Sequence, residues 1–210
     1  MKYTRLRDFY NVHFFGWALR NIHPGDRVLE IGCGENSLLL RLGYTRRAEV
    51  TAVDVYAPYV ARHKTAGDYA KIICGDIAAQ TFPYRYFDVV VCMDVLEHLS
   101  ESDGRQLLQQ MKFWGRSVII TTPNGFADNE PDDGNLNQKH KSGWSVQDFV
   151  STGYTVRGLS GWKALRTDKA ELRYMSPFLF WAGFSLLSQV VVYRLPEHAY
   201  HLLATYEAGN

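Results

Sequence analysis

The stretch Val28-Leu29-Glu30-Ile31-Gly32-Cys33-Gly34-Glu35-Asn36-Ser37-Leu38 predicts a strand that enters a glycine turn and then a helix. Glycine lets the backbone take positive φ values and lets a ligand approach where a Cβ atom would intrude. The helix that follows presents unpaired N–H groups and the positive end of its dipole. These features are typical of a site for a nucleotide-type cofactor.

Acidic residues recur at the ends of the strands around this turn. Glu30 lies near the end of the first strand, Asp54 follows a second strand that begins at Glu49, and Asp76 follows a third that begins at Lys71. A carboxylate about 20 residues beyond the glycines binds ribose hydroxyls in dinucleotide-binding folds. One such acid could equally be a helix cap, but the recurrence after successive strands indicates a shared ligand.

Strands and helices alternate along the chain. Phe87–Met93 is an apolar fourth strand, Ser117–Thr121 a fifth, Tyr154–Leu159 a sixth and His201–Tyr206 the last. A strand as apolar as the fourth is covered on both faces of its sheet. The pattern predicts an α/β fold with a doubly wound parallel sheet and helices on both faces, whose ligand lies off the carboxyl ends of the strands.

The length of 210 residues predicts a single domain, residues 1–210. We expect an N-terminal helix, about Leu6 to Arg20, within residues 1–24. Asp, Asn, Gly and Pro replace apolar periodicity over residues 126–143, which predicts a mobile loop that gates the substrate. Residues 168–194 are expected to form an apolar helical insertion before the last strand.

The insertion contains an uncharged run, residues 175–193, about as long as the shortest membrane spans. A span placed between two strands of one sheet would pull the sheet out of its core, and Ser185, Ser188 and Gln189 dilute the hydrophobicity. We therefore expect a helix packed on the domain, over a pocket or at a homodimer interface. Peripheral membrane contact through the same residues is the alternative.

The charge balance and the cysteines bound the functional class. With 23 basic and 22 acidic residues, the chain lacks the excess of positive charge that binds a phosphate backbone, so a nucleic-acid partner is disfavoured. The short basic run Arg62-His63-Lys64 is expected to be a solvated face. Cys33, Cys74 and Cys92 form no Cys-x-x-Cys pair and are expected to be buried and reduced. The N-terminus lacks a secretory signal pattern, which predicts a cytoplasmic location.

Taken in order, Glu30-x-Gly32-x-Gly34, Asp54, Asp76 and Asp94-Val95-Leu96-Glu97-His98-Leu99 resemble the class I S-adenosylmethionine-dependent methyltransferases. The likeness covers about Asp26 to Asn124 and is nearest to the small-molecule branch with quinone-biosynthesis and type 11 enzymes, which carry similar Leu-Glu-His-Leu and Thr-Pro-Asn-Gly segments. It implies a Rossmann-like, seven-stranded, mostly parallel sheet with an antiparallel last strand. It also implies S-adenosyl-L-methionine as the cofactor and S-adenosyl-L-homocysteine as its product.

The resemblance also implies roles for single residues. The glycine turn would receive the methionine part of the cofactor, Asp54 would bind the ribose hydroxyls and Asp76 would meet the adenine amine. Asn36 replaces the third glycine of the family pattern, and asparagine tolerates a left-handed backbone. The expected cofactor-binding residues are Glu30, Gly32, Cys33, Gly34, Asp54, Val55, Asp76, Ile77, Met93 and Asp94.

Three residues are predicted catalytic residues on the acceptor side. His98 follows the fourth strand, where a side chain can face the transferred methyl group, and histidine titrates in the range that suits a general base. His140 lies where the predicted loop returns to the domain, and Asn124 follows the fifth strand. Each has a structural alternative: His98 could bond to a neighbouring carboxylate, His140 could anchor the loop and Asn124 could cap its turn.

Asp94-x-x-Glu97-His98 is similar to the Glu-x-x-Glu-His metal segment of small-RNA 3′-end methyltransferases. The second histidine that those enzymes place shortly afterwards is absent, Asp103 lies in that neighbourhood, and we therefore expect no metal. The predicted function is methyl transfer to a small or lipid-linked acceptor, at oxygen in preference to carbon or nitrogen. An NAD(P)-dependent oxidoreductase, disfavoured because Ser37 stands at the third glycine, and a catalytically silent cofactor-binding partner protein are the alternatives.

Overall fold

The computed structural model describes residues 15–129, 134–167, 172–174 and 176–209. Seven strands form one sheet: β1 Arg27–Ile31, β2 Glu49–Asp54, β3 Lys71–Cys74, β4 Phe87–Met93, β5 Gly115–Pro123, β6 Thr155–Trp162 and β7 Ala199–Glu207. The α-helices that connect them are α1 Leu38–Arg41, α2 Ala57–Ala66, α3 Glu101–Trp114, α4 Val146–Val150 and α5 Phe178–Val192. Short 3-10 helices cover Leu19–Asn21, Tyr44–Arg46, Ile77–Ala79, Leu96–His98, Leu136–Gln138, Lys163–Leu165 and Pro196–His198.

The strand order is β3-β2-β1-β4-β5-β7-β6. Strands β1 to β5 run parallel, whereas β7 is antiparallel to both of its neighbours, β5 and β6. This confirms the predicted Rossmann-like sheet with its antiparallel last strand. The order reverses between β1 and β4, where Ile31 lies opposite Cys92. Such a reversal creates the crevice in which open α/β sheets bind ligands.

An apolar cluster covers each face of the sheet. On one face Leu29 and Val90 pack with Leu108 and Met111 of α3 and with Phe149 of α4. The other cluster brings residues of β1, β2 and β4 together with α1 and the helical segment around Leu19. Residues that alternate along β1 and β4 thus enter different clusters, which explains why these strands read as nearly continuous apolar runs.

Local sequence signals place the helix ends. The Ser100 hydroxyl accepts a hydrogen bond from the Asp103 amide at 3.2 Å and starts α3. Ser145 starts α4 in a capping box with Asp148. Helix α2 ends at Gly67, whose φ of 67° places it in the left-handed region.

Pairing extends two strands beyond their predicted bounds. Strand β5 continues through Pro123 because β7 pairs with it as far as His201, and β6 continues to Trp162, which pairs with Ala199. The prediction that all three cysteines are buried is wrong for Cys74, which is exposed, whereas Cys33 and Cys92 are buried. Cys74 is the last residue of β3, which is an edge strand and pairs with β2 alone.

Parts of three predicted segments lie outside the described residues. Of the N-terminal helix, residues 1–14 are not described, and residues 15–18 are helical. Residues 130–133 of the predicted loop and residues 168–171 and 175 of the insertion are also outside, so the mobility of the loop stays a prediction. Helix α5 of the insertion packs on β6. None of the helices in the described ranges is both long and apolar enough to traverse a bilayer.

Candidate cofactor and acceptor site

A cavity of about 240 Å³ opens at the carboxyl ends of the central strands. Among the predicted site residues, those that line it are Gly32, Gly34, Asp54, Val55, Asp76, Ile77, Asp94 and His98. Those that do not line it are Glu30, Cys33, Met93, Asn124 and His140. The other lining residues are Ile31, Val53, Tyr59, Gly75, Val95, Leu99, Asn135, Asn137, Gln138 and Lys141.

The glycine turn forms one wall of this cavity. Gly32 has φ = 71°, and a Cβ atom at this position would overlap Val95 Cγ2. Gly34 has φ = 58°, but a Cβ atom there would meet no atom within 4 Å. The Gly32 amide donates to the carbonyl oxygen of Val53 at 2.8 Å. Conformation and close packing therefore both require glycine at position 32, whereas conformation alone favours it at position 34.

Asp54 holds the turn through its carboxylate. Its Oδ2 atom accepts a hydrogen bond from the Gly34 amide at 2.8 Å, and its Oδ1 atom accepts one from the Tyr56 amide at 2.8 Å. The residue is buried. A carboxylate offers about four acceptor positions, so capacity for ligand hydroxyls remains. Cys33 Sγ lies 3.8 Å from the same Oδ2 atom, and burial raises the pKa of this thiol, which keeps it neutral.

Glu30 is buried within β1 and receives a hydrogen bond from the Ser37 hydroxyl at 2.5 Å. Its other oxygen, Oε2, has no hydrogen-bond partner among the described residues. Burial raises the pKa of the Glu30 carboxyl to about 7, against smaller opposing effects from Ser37, Tyr69 and His63. The residue thus supports the start of α1 through Ser37, whose hydroxyl also accepts from the Leu40 amide at 3.2 Å.

His63 of α2 contacts the turn and was missed by the sequence reasoning. Its Nε2 atom donates to the Gly34 carbonyl oxygen at 2.8 Å, and its Nδ1 atom lies 2.7 Å from Asp68 Oδ2. The expectation that Arg62-His63-Lys64 is a solvated face is therefore wrong for His63, which is 1% exposed. Its spacing from Tyr59 and Val60, the other buried residues of α2, is the signal that places it on the inner face.

The expectation for Asn36 requires correction. Among the described residues, those other than glycine with positive φ are Arg85, Asp94 and Ser160, so Asn36 does not adopt the left-handed conformation. The exposed Asn36 side chain lies 3.4 Å from Glu35 Oε2. The residue other than glycine that is left-handed at the cavity is Asp94, with φ = 52°, whose Oδ1 atom accepts a hydrogen bond from the Thr121 hydroxyl at 3.0 Å.

Asp76 lies beyond the end of β3 with an exposed side chain. Its Oδ1 atom accepts a hydrogen bond from the Ala78 amide at 2.9 Å and so caps the 3-10 helix that begins at Ile77. Ile77 is buried beside it, and both residues line the cavity. The capping role explains the position of this acid, while its remaining carboxylate oxygen is free to accept from a ligand.

His98 and His140 form a pair at the acceptor side. Their ring centroids lie 4.9 Å apart, and Nδ1 of the half-buried His98 has no hydrogen-bond partner among the described residues. Burial lowers the pKa of His98, and the neighbouring His140 lowers it further. His140 Nδ1 lies 2.5 Å from the Ala127 carbonyl oxygen. A neutral His98 ring beside the cavity can accept a proton.

Glu97, His98 and His140 can supply ligands for a metal ion, because one donor atom of each lies within 4.8 Å of the others. Glu97 is buried, its Oε2 atom accepts from the Thr122 hydroxyl at 3.0 Å, and burial together with Asp94 raises the pKa of its carboxyl. One carboxylate and two imidazoles suit a transition-metal ion such as Zn²⁺, Fe²⁺ or Mn²⁺. The missing second histidine therefore does not exclude a metal, since the fold brings His140 to this position.

The segment around the predicted loop is held to the site by hydrogen bonds. The amides of Lys141 and Ser142 donate to the Glu97 carbonyl oxygen at 2.7 and 3.1 Å, which keeps the neighbouring His140 beside His98. Gln138 Nε2 lies 3.2 Å from the Tyr59 hydroxyl, across the cavity wall. Asn135, Asn137 and Gln138 place amide groups at the cavity that sequence patterns did not indicate.

Asn124 uses its side chain elsewhere. Its Nδ2 atom donates to the carbonyl oxygens of Pro196, Glu197 and Ala199 at 3.2, 2.9 and 2.9 Å. The Asn124 amide also donates to the Tyr200 carbonyl oxygen at 2.9 Å. These bonds attach the end of β5 to the chain that enters β7.

Residues 28–114, from β1 to the end of α3, match a family model described as a methyltransferase domain. The chain is also 36% identical over 114 residues to the mitochondrial ubiquinone biosynthesis O-methyltransferase of Schizosaccharomyces pombe. That alignment covers 49% of this chain and 40% of the relative, so the chain spans less than half the length of the protein that it matches.

Two solved structures share the fold over nearly the whole chain. One is the chain assigned as a methyltransferase in a complex with the Haloferax volcanii Trm112 methyltransferase activator, with a TM-score of 0.61, 15% identity, and coverage of 100% of this chain and 94% of that one. The other is an S-adenosylmethionine-dependent methyltransferase from Mesorhizobium loti, with a TM-score of 0.60, 15% identity, and coverage of 95% and 98%. The match over residues 28–114 therefore places a methyltransferase domain in this part of the chain, and both solved structures share its fold.

Proposed function

We propose that the protein transfers a methyl group from S-adenosyl-L-methionine to an oxygen atom of a small or lipid-linked acceptor. The observation that carries this proposal is one cavity lined both by the glycine turn, at Gly32 and Gly34, and by His98. A methyl donor on the turn and a proton acceptor at His98 would share one space. The name of the Schizosaccharomyces pombe relative, an O-methyltransferase of ubiquinone biosynthesis, supports oxygen as the acceptor atom.

The proposed cofactor pose follows the walls of the cavity. The methionine part lies against Gly32 and Gly34, Asp54 accepts hydrogen bonds from the ribose hydroxyls, and Asp76 accepts one from the adenine amine. Val55 and Ile77 supply apolar contacts to the adenine. The support for this pose is that all of these residues line one cavity and that both carboxylates keep acceptor positions free.

The reaction is an in-line displacement at the methyl carbon. The acceptor oxygen forms a bond to carbon while the bond from carbon to sulfur breaks, and the sulfonium leaves as neutral S-adenosyl-L-homocysteine. The hydroxyl proton passes to a ring nitrogen of His98. Because the leaving group is already activated, the protein mainly positions the two reactants and keeps water from between them.

Glu97, His98 and His140 provide a second route to the same activation. A divalent cation held by them would lower the pKa of a bound hydroxyl, and His98 would then be a ligand instead of a base. Isothermal titration with Mn²⁺ or Zn²⁺ distinguishes the two. Saturable binding that is lost in His140→Ala but retained in His198→Ala, at an exposed histidine, supports the cation, whereas an absence of saturable binding by the wild type leaves His98 as the base.

Titration with S-adenosyl-L-homocysteine tests the cofactor. We expect saturable binding that weakens at least tenfold in Asp54→Asn, because the amide can no longer accept at both oxygens from Gly34 and Tyr56 and also from the ribose. Glu49→Gln is the matched control, since the exposed Glu49 begins the strand that Asp54 ends. Equal affinity in all three proteins would contradict the proposal, and binding of NADH instead would favour an oxidoreductase.

Turnover with methyl-labelled S-adenosyl-L-methionine and a panel of phenols and catechols, with and without long alkyl tails, tests the acceptor class. We expect His98→Ala to lower turnover about a hundredfold or more while its affinity for S-adenosyl-L-homocysteine stays within twofold of the wild type. Cofactor binding without turnover on any acceptor would instead support a silent partner protein.

A further inference from the structure

Helix α5 turns its polar side chains toward the protein. Ser185, Ser188 and Gln189 are buried, although they are the polar residues of an otherwise apolar helix. Gln189 Oε1 accepts from the Gly161 amide at 3.0 Å, and Gln189 Nε2 donates to the Gly158 carbonyl oxygen at 2.9 Å. Ser188 Oγ accepts from the Trp162 amide at 3.0 Å. These hydrogen bonds attach α5 to the end of β6. A surface helix would normally pack on its sheet through apolar contacts instead.

The opposite side of α5 is apolar and exposed. Leu187 is 71% exposed, Val190 64% and Phe180 61%. Phe184 and Val191 extend the same surface. No charged residue occurs between Tyr174 and Tyr193 in the sequence. The polarity of the helix is thus the reverse of that of a helix that faces water, and a surface of this kind requires an apolar neighbour.

The sequence around this apolar helix is basic. Between residues 155 and 198 it has six lysines and arginines (Arg157, Lys163, Arg166, Lys169, Arg173 and Arg194) and three acids (Asp168, Glu171 and Glu197), of which Asp168, Lys169 and Glu171 lie outside the described residues. Arg173 and Arg194 are exposed and flank the uncharged run on either side. Tyr174 and Trp162, both exposed, add the amphipathic aromatic side chains that favour the boundary between water and lipid.

We propose that the exposed face of α5 rests on the surface of a bilayer that contains anionic lipids. The helix has 15 residues and is about 22 Å long, which is too short for the hydrocarbon core but sufficient to lie in the interface. The exposed cations Arg173 and Arg194, which flank the uncharged run in sequence, complement anionic headgroups. A second copy of the chain would present the same cations to each other across a two-fold contact, so these cations favour lipid over a homodimer.

On its inner side α5 is also bonded to Arg166, whose Nη2 atom donates to the Ser185 hydroxyl at 3.1 Å. The proposed membrane contact does not rest on the proposed function.

Flotation with phosphatidylcholine vesicles, with and without phosphatidylglycerol, tests the proposal on the full chain. We expect binding to the vesicles with phosphatidylglycerol and a loss of at least tenfold in Leu187→Glu and in Val190→Glu. Val150→Glu is the matched control, because Val150 is an exposed valine on a different helix, α4. We expect Arg173→Gln and Arg194→Gln each to weaken binding to the anionic vesicles about fivefold, and Arg116→Gln to leave it unchanged.

Three results would overturn the proposal. The first is an absence of vesicle binding by the wild type, and the second is an equal loss in Val150→Glu. The third is a dimer in light scattering that Leu187→Glu converts to a monomer without any vesicle binding, which would assign the face to a second copy of the chain. Far-UV circular dichroism of the same samples shows whether each variant is folded, so this test does not depend on that of the cofactor site.

Discussion

The Nε2 atom of His63 lies 2.8 Å from the carbonyl oxygen of Gly34 and ties helix α2 to the glycine turn. The same turn receives Asp54 Oδ2 at its Gly34 amide. Both backbone polar groups of Gly34 are therefore satisfied by side chains, one from the end of β2 and one from α2. The turn is held in place before any ligand arrives, which reduces the conformational entropy lost on binding.

We expect His63→Ala to lower the free energy of unfolding by about 2–3 kcal/mol, because it removes the partner of the partly buried Gly34 carbonyl oxygen and leaves a space where the buried ring packed. It should also weaken the binding of S-adenosyl-L-homocysteine about tenfold, since the turn loses one of its two anchors. Urea unfolding and calorimetric titration measure the two effects. Lys64→Ala, at the exposed neighbouring position on α2, should change neither.

The glycines at positions 32 and 34 should differ in their response to alanine. Gly34→Ala should cost about 1–2 kcal/mol, because the left-handed backbone is strained but the space is open. Gly32→Ala should cost more, because its Cβ atom would also overlap Val95. Val95→Ala in the same chain should recover part of this additional cost. Equal costs for the two single variants would show that the contact with Val95 relaxes freely.

The sheet was largely predictable because its signals are local. Apolar runs such as Phe87–Met93, glycine turns and an N-cap such as Ser145 act within a few residues of the chain. Pairing partners act over a longer distance, and the extension of β5 to Pro123 depends on β7, which lies near the other end of the sequence. The sequence therefore predicted that these strands exist more accurately than it predicted where they begin and end.

The residues around the site show the same limit. Gly32 and Asp54 were predictable because the turn and the strand end are continuous in sequence. His140 was predicted from its place after the loop and helical spacing marks His63 as buried, but their contacts with His98 and Gly34 join separate elements and depend on the tertiary fold. Asn124 looked like an acceptor-side residue because it follows a strand, yet its side chain contacts residues that lie far along the chain.

Asn124→Ala tests that structural role. The change removes the donor of three hydrogen bonds to carbonyl oxygens, and we expect a loss of about 1–3 kcal/mol in the free energy of unfolding. Affinity for S-adenosyl-L-homocysteine should not change, because the side chain does not line the cavity. Asn36→Ala, on the exposed part of the glycine turn, is the control for stability. A drop in turnover without a loss of stability would restore a role for Asn124 at the acceptor.

Glu30 should make the stability of the protein depend on pH. Its pKa rises from 4.5 in the unfolded chain to about 7 in the fold, so the unfolded chain releases the proton first as the pH increases. The contribution of Glu30 to the free energy of unfolding is fully present below pH 4.5. It decreases by on the order of 3 kcal/mol as the pH rises to about 7. Above that pH the loss is constant.

Glu30→Gln cannot ionise and should lack this dependence. The difference in the free energy of unfolding between variant and wild type should therefore shift in favour of the variant between pH 4.5 and pH 7. Buried Glu97 acts in the same direction in both proteins, so it cancels in the difference. Urea unfolding at a series of pH values provides the measurement. Parallel stability curves would mean that the carboxyl finds a partner for its Oε2 atom in solution.

The pH profile of turnover should depend on the contact between His98 and His140. The base form of His98 is the neutral ring, and burial together with His140 lowers its pKa, so the rate of the wild type should start to fall only at a pH below the usual range of histidine. His140→Asn removes the second cause, the pKa of His98 rises, and the acidic limb of kcat/KM should move to higher pH. His198→Asn, at an exposed histidine, should leave the limb in place. The pH profile of kcat/KM is measured with a chelator present. An NMR titration of the His98 ring in the S-adenosyl-L-homocysteine complex then shows whether His98 is the group that produces the acidic limb. A limb that does not move, while the ring titrates at a higher pH, would exclude His98 as the base.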